Sequence, residues 1–352
     1  MNTISKKKVN YPIQQPLRKY LKNYSRELQL PIGYKDLDHY ESSVPLYDKA
    51  GVDTLWETVF FSQSEMVEVN SALCSVYALL KTEGDVSVME HLYVNRIDYC
   101  PFGNSKPFRI RITNRYNDNY DYFYVKKADA SRIYGLELEH ILSPNRIGYI
   151  VDRNTIIEDH IAGIPGDLFI KSWLEDEQLN RTRLAKEFVK FNERCFVRLL
   201  GDMRSYNYVV DVTPDFDDIQ YRIRAIDFDQ QTYEGHKSMY LPQFFKDNNP
   251  IVKFCSELLN PETIRQYQKE ERAMIANRIK VSRYRLKDLS DCMEVDTISS
   301  PEKVDQLKSE LAEHFADPSF LECQTMGEIL RTRLFILLYN NRDILIGEEN
   351  QP

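Results

Sequence analysis

The sequence predicts an α+β chain of two lobes, a small antiparallel-sheet lobe with one helix and then a mainly helical lobe, behind an N-terminal extension. Three observations predict it. The 352 residues are more than one core normally fills. Residues 91 to 157 read in the order strand, strand, strand, helix, strand, strand. From Pro250 to Tyr339 nearly every stretch places apolar residues at helical spacing.

Taken in order, residues 1 to about 60 read as irregular, with Pro12, Pro16, Pro31 and Pro45 interrupting any helix. Val59, Phe60, Met66, Val69, Leu73, Val76, Leu79 and Leu80 mark a helix drawn from Asp53 to Thr82 and closed by Glu83-Gly-Asp85. Residues 1–85 thus form an extension whose long helix packs on the small lobe, 86–160. In that lobe His91–Cys100 is extended, Phe108–Thr113 alternates strictly, and Tyr122–Lys127 follows the turn at Asn114–Asn119. Asp129 can cap a helix over Ala130–Leu142, with Ile133, Leu136 and Ile141 on one side. Ile147–Val151 and Thr155–Ile157 complete five strands. In the helical lobe, 161–352, Leu184, Phe188, Phe191, Cys195 and Leu199 set a helix over Asn180–Leu200. The runs Tyr208–Asp211 and Tyr221–Ile226 flank an acidic loop at Asp215–Asp218. Ser300-Pro301-Glu302 reads as a helix start, an N-cap followed by proline, ahead of the stripe Val304, Leu307, Leu311 and Phe315.

Composition excludes several classes. A chain 42% hydrophobic and 28% charged, with 12 Gly and 15 Pro, is neither disordered nor collagen-like. Its longest apolar run, Leu334–Tyr339, falls far short of the roughly 20 residues a membrane span needs. A net charge of −8 argues against a nucleic-acid partner, since phosphate backbones are met by basic domains. Lys6, Lys7 and Lys8 are followed by polar residues, so no secretory leader is expected. The six cysteines are scattered without Cys-x-x-Cys or histidines at ligand spacing. They read as buried thiols of a cytoplasmic protein rather than disulfides or a zinc site.

The segment that carries chemistry is Leu200-Gly-Asp-Met-Arg-Ser-Tyr-Asn207, followed by Ala225-Ile-Asp-Phe-Asp229. Asp202 and Asn207 are five apart (207 − 202) at the end of a long helix, and Asp227 comes twenty later (227 − 207) at a strand end. Phosphoryl transfer from ATP needs such a set: a carboxylate to orient a hydroxyl, an amide oxygen, and a carboxylate holding magnesium. Each piece has a plainer rival. Gly201-Asp202 alone is a cap and turn, and Lys126-Lys127 alone a solvated strand end. Asp227 and Asp229 could be the metal-binding pair of a glycosyltransferase, or turn carboxylates. The basic residues from Arg265 to Arg285 alternate with Glu262, Glu270 and Glu271 and read as a solvated helix face.

With these residues in this order the chain resembles the protein-kinase-like superfamily over roughly residues 88 to 240. It looks closer to the small-molecule branch, the aminoglycoside and choline phosphotransferases. Gly201 precedes Asp202 where protein kinases place Arg, and Ile226-Asp-Phe-Asp229 stands for Asp-Phe-Gly. The resemblance implies an ATP- and magnesium-dependent phosphotransferase acting on a hydroxyl of a small molecule, with its site between two lobes. Asp202 would be catalytic and Arg204 would sit near the phosphoryl group in flight, or else brace the loop at Asp215, Asp217 and Asp218. Asn207 and Asp227 would hold magnesium, with Asp229 as a further ligand. The phosphate-contacting lysine of the family would be Lys126 or Lys127. Alternation puts Lys127 with Phe123 and Val125, which suits an adenine slot, so Lys127 is preferred. Its acidic partner would be Glu137 or Glu139, with Glu137 preferred. Ile157–Gly163, containing Glu158 and His160, resembles the hinge, and Gly163-Ile-Pro-Gly166 the exit turn. The phosphate cover would be Pro101–Pro107, where Gly103 is the lone glycine between two prolines. That departure motivates an alternative, an inactive nucleotide-binding pseudokinase or scaffold; a protein-directed kinase is a third reading.

Overall fold

Alternation in Phe108-Arg-Ile-Arg-Ile-Thr113 sends apolar side chains one way and arginines the other, and a seven-stranded sheet is built on that division. The computed structural model describes residues 8–82, 90–215 and 219–341. Its contacts fall into two units, Met1–Ala130 with Ile147–His160, and Ser131–Arg146 with Ile161–Pro352.

The first unit holds α1 (Gln15–Asn23), α2 (Tyr34–Leu37), β1 (Ser42–Tyr47), β2 (Asp53–Phe60), α3 (Gln63–Lys81), β3 (Leu92–Tyr99), β4 (Phe108–Asn114), β5 (Tyr120–Lys127), β6 (Tyr149–Asp152) and β7 (Thr155–Asp159). The strands pair antiparallel in the order β1-β2-β3-β4-β5-β7-β6. Ile97, Phe108, Ile110, Ile112, Phe123, Val125 and Ile157 bury one face with Val69, Leu73 and Val76 of α3 and Tyr34 and Leu37 of α2.

Two expectations for this unit are corrected. The sheet has seven strands rather than five, because β1 and β2 form where residues 1 to 60 read as irregular; α1 and α2 form there too, with Pro16 in the first turn of α1, where proline interrupts nothing. Pro45 is tolerated because β1 is the edge strand. The helix begins at Gln63 rather than Asp53, since Ser62 and Glu65 form a capping box in which each side chain accepts the other's backbone N–H. The stop expected at Glu83-Gly-Asp85 lies outside the described residues. Asp129 accepts from Lys8 Nζ at 2.6 Å and from the Tyr11 N–H at 2.8 Å.

The second unit takes α4 (Ala130–Leu142) from its second residue, and its helix limits are those the sequence predicts. It continues with β8 (Ile164–Pro165), α5 (Gly166–Ser172), α6 (Arg181–Arg198), β9 (Tyr208–Pro214) and β10 (Ile219–Ala225). These strands form an antiparallel sheet ordered β10-β9-β8. The helices α7 (Asn249–Leu258), α8 (Pro261–Val281), α9 (Arg283–Val295), α10 (Pro301–Phe315) and α11 (Met326–Asn340) complete it. Ser300 is the N-cap residue of α10, whose Val304, Leu307 and Leu311 are buried as the stripe requires. Phe315 stacks between Phe196 and Phe320, at 5.9 and 5.7 Å between ring centroids. Among the described residues no helix is long and apolar enough to cross a membrane.

Phe123 is fully buried at the centre of the first unit's core. Phe123→Ala should cost about 3–5 kcal/mol. The check is a urea titration, in which the midpoint should fall while the slope stays constant.

Candidate functional site

A tight reversal after α6 builds the site of the second unit. Leu199 and Asp202 both adopt left-handed backbone, with φ of 55° and 57°, at roughly 1–2 kcal/mol each for non-glycine residues. Backbone bonds hold the reversal: Thr232 N–H to the Leu199 carbonyl at 2.8 Å, Gly201 N–H to Gln230 at 3.1 Å, and Asp202 N–H to Met239 at 3.0 Å. A Cβ on Gly201 would lie 3.0 Å from the Gln230 carbonyl oxygen, a close approach that a larger residue would have to push apart. A Cβ on Gly166, at the start of α5, would meet Tyr208 Cε2 at 2.2 Å and the Ser205 carbonyl oxygen at 2.4 Å. A 3-10 turn, Ser205–Asn207, then feeds β9, and Asn207 Nδ2 donates back to the Asp202 carbonyl at 2.8 Å.

The Asp202 carboxylate is mostly buried and accepts from Arg204 Nε at 2.9 Å. Burial pushes its pKa up to about 6; Arg204 opposes the rise, and the charges of Asp227 and Glu234 add to it. Arg204 reaches Asp247 at 3.2 Å through its other arm and lies over the Phe245 ring at 5.2 Å. Among the described residues the carboxylates paired with Arg204 are thus Asp202 and Asp247. Asp215 accepts from Gln220 at 2.6 Å, while Asp217 and Asp218 lie outside the described residues.

Asp227 and Asp229 converge on Arg132 of α4, whose guanidinium donates to them at 3.0 and 2.6 Å. Arg132 is only 2% exposed. The Asp229 N–H also donates to Asp227 at 3.1 Å, and Ser131 Oγ donates to the Gln231 carbonyl at 2.7 Å. Asp229 is thus buried against a cation, whereas the Asp227 side chain keeps 33% exposure. Sequence reasoning missed Arg132, which no spacing rule marks within α4. It also missed Asp247, 43 residues after Arg204 in sequence.

The remaining expected residues are placed as follows. Within the second unit, Glu137 is fully buried and held at both oxygens by Arg285 of α9, at 2.8 to 3.0 Å. Glu139 pairs with Arg198 and accepts from Asn145 at 3.1 Å. Within the first unit, Lys126 is buried and donates to Glu158 at 2.7 Å. Lys127 is exposed, 4.9 Å above the Tyr34 ring. The preference for Lys127 rested on its sharing a face with Phe123 and Val125, and both of those side chains are buried in a cluster with residues of α2 and α3. His160 Nδ1 lies 3.2 Å from the Tyr124 hydroxyl, and burial lowers its pKa. Gly103 accepts from the Lys106 N–H at 3.1 Å in a closed turn rather than an open glycine loop.

Among the described residues no three His, Cys, Asp or Glu cluster to hold a metal ion. Asp227 and the Asn207 amide still supply hard oxygen donors. Magnesium is commonly bound by one or two carboxylates with phosphates and water completing the shell, and here the Asp227 carboxylate already accepts from Arg132 and the Asp229 N–H. No protein-family model and no curated protein matches the chain. Among solved structures it is similar to a mutant of the PAN3 pseudokinase of Neurospora crassa, at 11% identity and a TM-score of 0.19, covering 96% of this chain and 73% of that one.

Arg132→Met removes the cation that the buried Asp229 carboxylate pairs with at 2.6 Å and should destabilise by about 3–5 kcal/mol. Adding Asp229→Asn should restore most of the loss, as read from melting temperatures of the two variants.

Proposed function

We propose that the chain is a two-lobed, kinase-like phosphotransferase that uses ATP and magnesium and acts on a hydroxyl of a small molecule. The observation that carries this reading is Asp202, a mostly buried carboxylate held at one oxygen and raised to a pKa of about 6. Such a group is ionised at neutral pH yet basic enough to share a proton. Arg204 and Asn207 position it, the one through Oδ1 and the other through the backbone carbonyl. As the acceptor oxygen bonds phosphorus and the bond to the leaving diphosphate breaks, Asp202 takes the hydroxyl proton. Asp227 and Asn207 would hold magnesium, which when bound neutralises phosphate charge. The small-molecule acceptor follows the resemblance at Gly201 and Ile226-Asp-Phe-Asp229.

One observation favours a second reading. Arg132 already pairs with the carboxylates of Asp227 and Asp229, as suits a nucleotide-binding protein without turnover. Asp202→Asn separates the two. Under the first reading, transfer to a hydroxyl acceptor should fall by roughly two to four orders of magnitude while ATP still raises the melting temperature. Wild-type protein stabilised by ATP but inert toward every hydroxyl compound, with label on no protein either, would establish the second.

Turnover should rise with pH through about 6 and then level, as Asp202 loses its proton. Stability has the opposite slope. Folding raises this carboxyl from 3.8 to about 6, so the folded chain holds the extra proton between those values. The stability it contributes falls as pH rises through that window. Asp202→Asn should therefore stabilise the protein at pH 7, by about 1–2 kcal/mol once solvent screening is discounted. A lower melting temperature for this variant would mean that the Arg204 pair outweighs the burial cost.

A further inference from the structure

Opposite its apolar core, the sheet of the first unit carries a second face, on which Lys126 pairs with Glu158 at one side. Strand pairing sets Arg109 beside Tyr124, Arg111 beside Tyr122 and Thr113 beside Tyr120. On β3, Tyr93, Arg96 and Asp98 stand opposite Thr113, Arg111 and Arg109. Thr58 of β2 stands opposite Asp98, which puts Trp56 on the same face. The result is arginine interleaved with rings. Arg109 lies over both Trp56 (4.4 Å) and Tyr122 (5.4 Å), Arg111 lies over Tyr120 (4.0 Å), and Arg115 over Tyr93 (5.7 Å).

Charge on this face is unbalanced. Asp98, fully buried, is the carboxylate for both Arg96 and Arg109, at 2.8 Å each. Arg111 is held by a ring instead, and its Nε is buried without a hydrogen-bond partner. Arg115 is exposed beside a concavity of about 400 Å³ that it lines with Tyr93 and Asp118. Tyr120 is 56% exposed. In a chain of net charge −8 this cationic stripe is local, not a product of composition. Arg109 and Arg111 recur at about 6.8 Å along β4, two residues of strand rise. Guanidinium both forks onto phosphate oxygens and stacks on flat rings, which lysine does not do as well. A ligand that answers all of this is a flexible polyanion bearing flat faces.

We propose that this sheet face binds single-stranded nucleic acid, with phosphates on Arg96, Arg111 and Arg115 and bases stacked on Tyr120 and Tyr122. Fluorescence anisotropy of a labelled oligouridylate of about 12 nucleotides tests it on the full chain. Three phosphate contacts give a log–log salt slope of about −2, so affinity should fall roughly twentyfold between about 50 and 200 mM salt. Arg111→Gln/Arg115→Gln/Tyr120→Ala should weaken binding at least about tenfold at the lower salt, with a melting temperature within a few degrees of wild type. Asp202→Asn should bind as wild type, so this test does not depend on the transferase reading. Absence of saturable binding at low salt overturns the proposal. So does equal binding by the triple variant, equal binding of a duplex of the same length, or displacement of the oligomer by ATP.

Discussion

A guanidinium with 2% exposure needs anions around it, and the site of the second unit is arranged to meet that need. Arg132 draws in Asp227 and Asp229, and its neighbour Ser131 ties the carbonyls of Asp229 and Gln231 to α4. The strand-end segment held in this way offers the Gln230 carbonyl to Gly201. Asp202 follows directly from Gly201, so its position traces through backbone bonds to a buried ion pair on another helix. Removing Arg132 would take away the cation that two carboxylates share in a largely buried place.

The same region gives up stability for that arrangement. Two non-glycine residues, Leu199 and Asp202, sit in left-handed conformation within four positions. Asp202 is buried near Asp227 and Glu234, which favours its protonated form. Strain and a raised carboxyl pKa in one short loop are costs that packing alone would avoid.

In the first unit a single alternation supports two different surfaces. Ile110 and Ile112 enter a core closed by α3, while Arg109 and Arg111 face the other way among tyrosines and Trp56. Cation–π contacts and the buried Asp98 let guanidinium groups lie flat on the sheet instead of extending into solvent. The overall charge of −8 hides this, because net charge averages over surfaces that ligands meet one at a time.

Local features were legible in the sequence. The limits of α4, the start of α10 at Pro301 and the spacing of Asp202, Asn207 and Asp227 all depend on residues close along the chain. The capping box at Ser62 and Glu65 was equally local, and the apolar stripe running back into β2 obscured it. What the tertiary structure decided rests on distant partners. β2 is a strand because β1 and β3 pair with it, the latter through Glu57 and Tyr99. Parity correctly put Lys127 with Val125, but only the docking of α2 and α3 decides which face is core. Glu137 meets Arg285 across 148 positions, and Arg132 meets Asp229 across 97. Periodicity reports which side chains share a face; which charge a buried charge finds depends on how elements pack, and no local pattern encodes that.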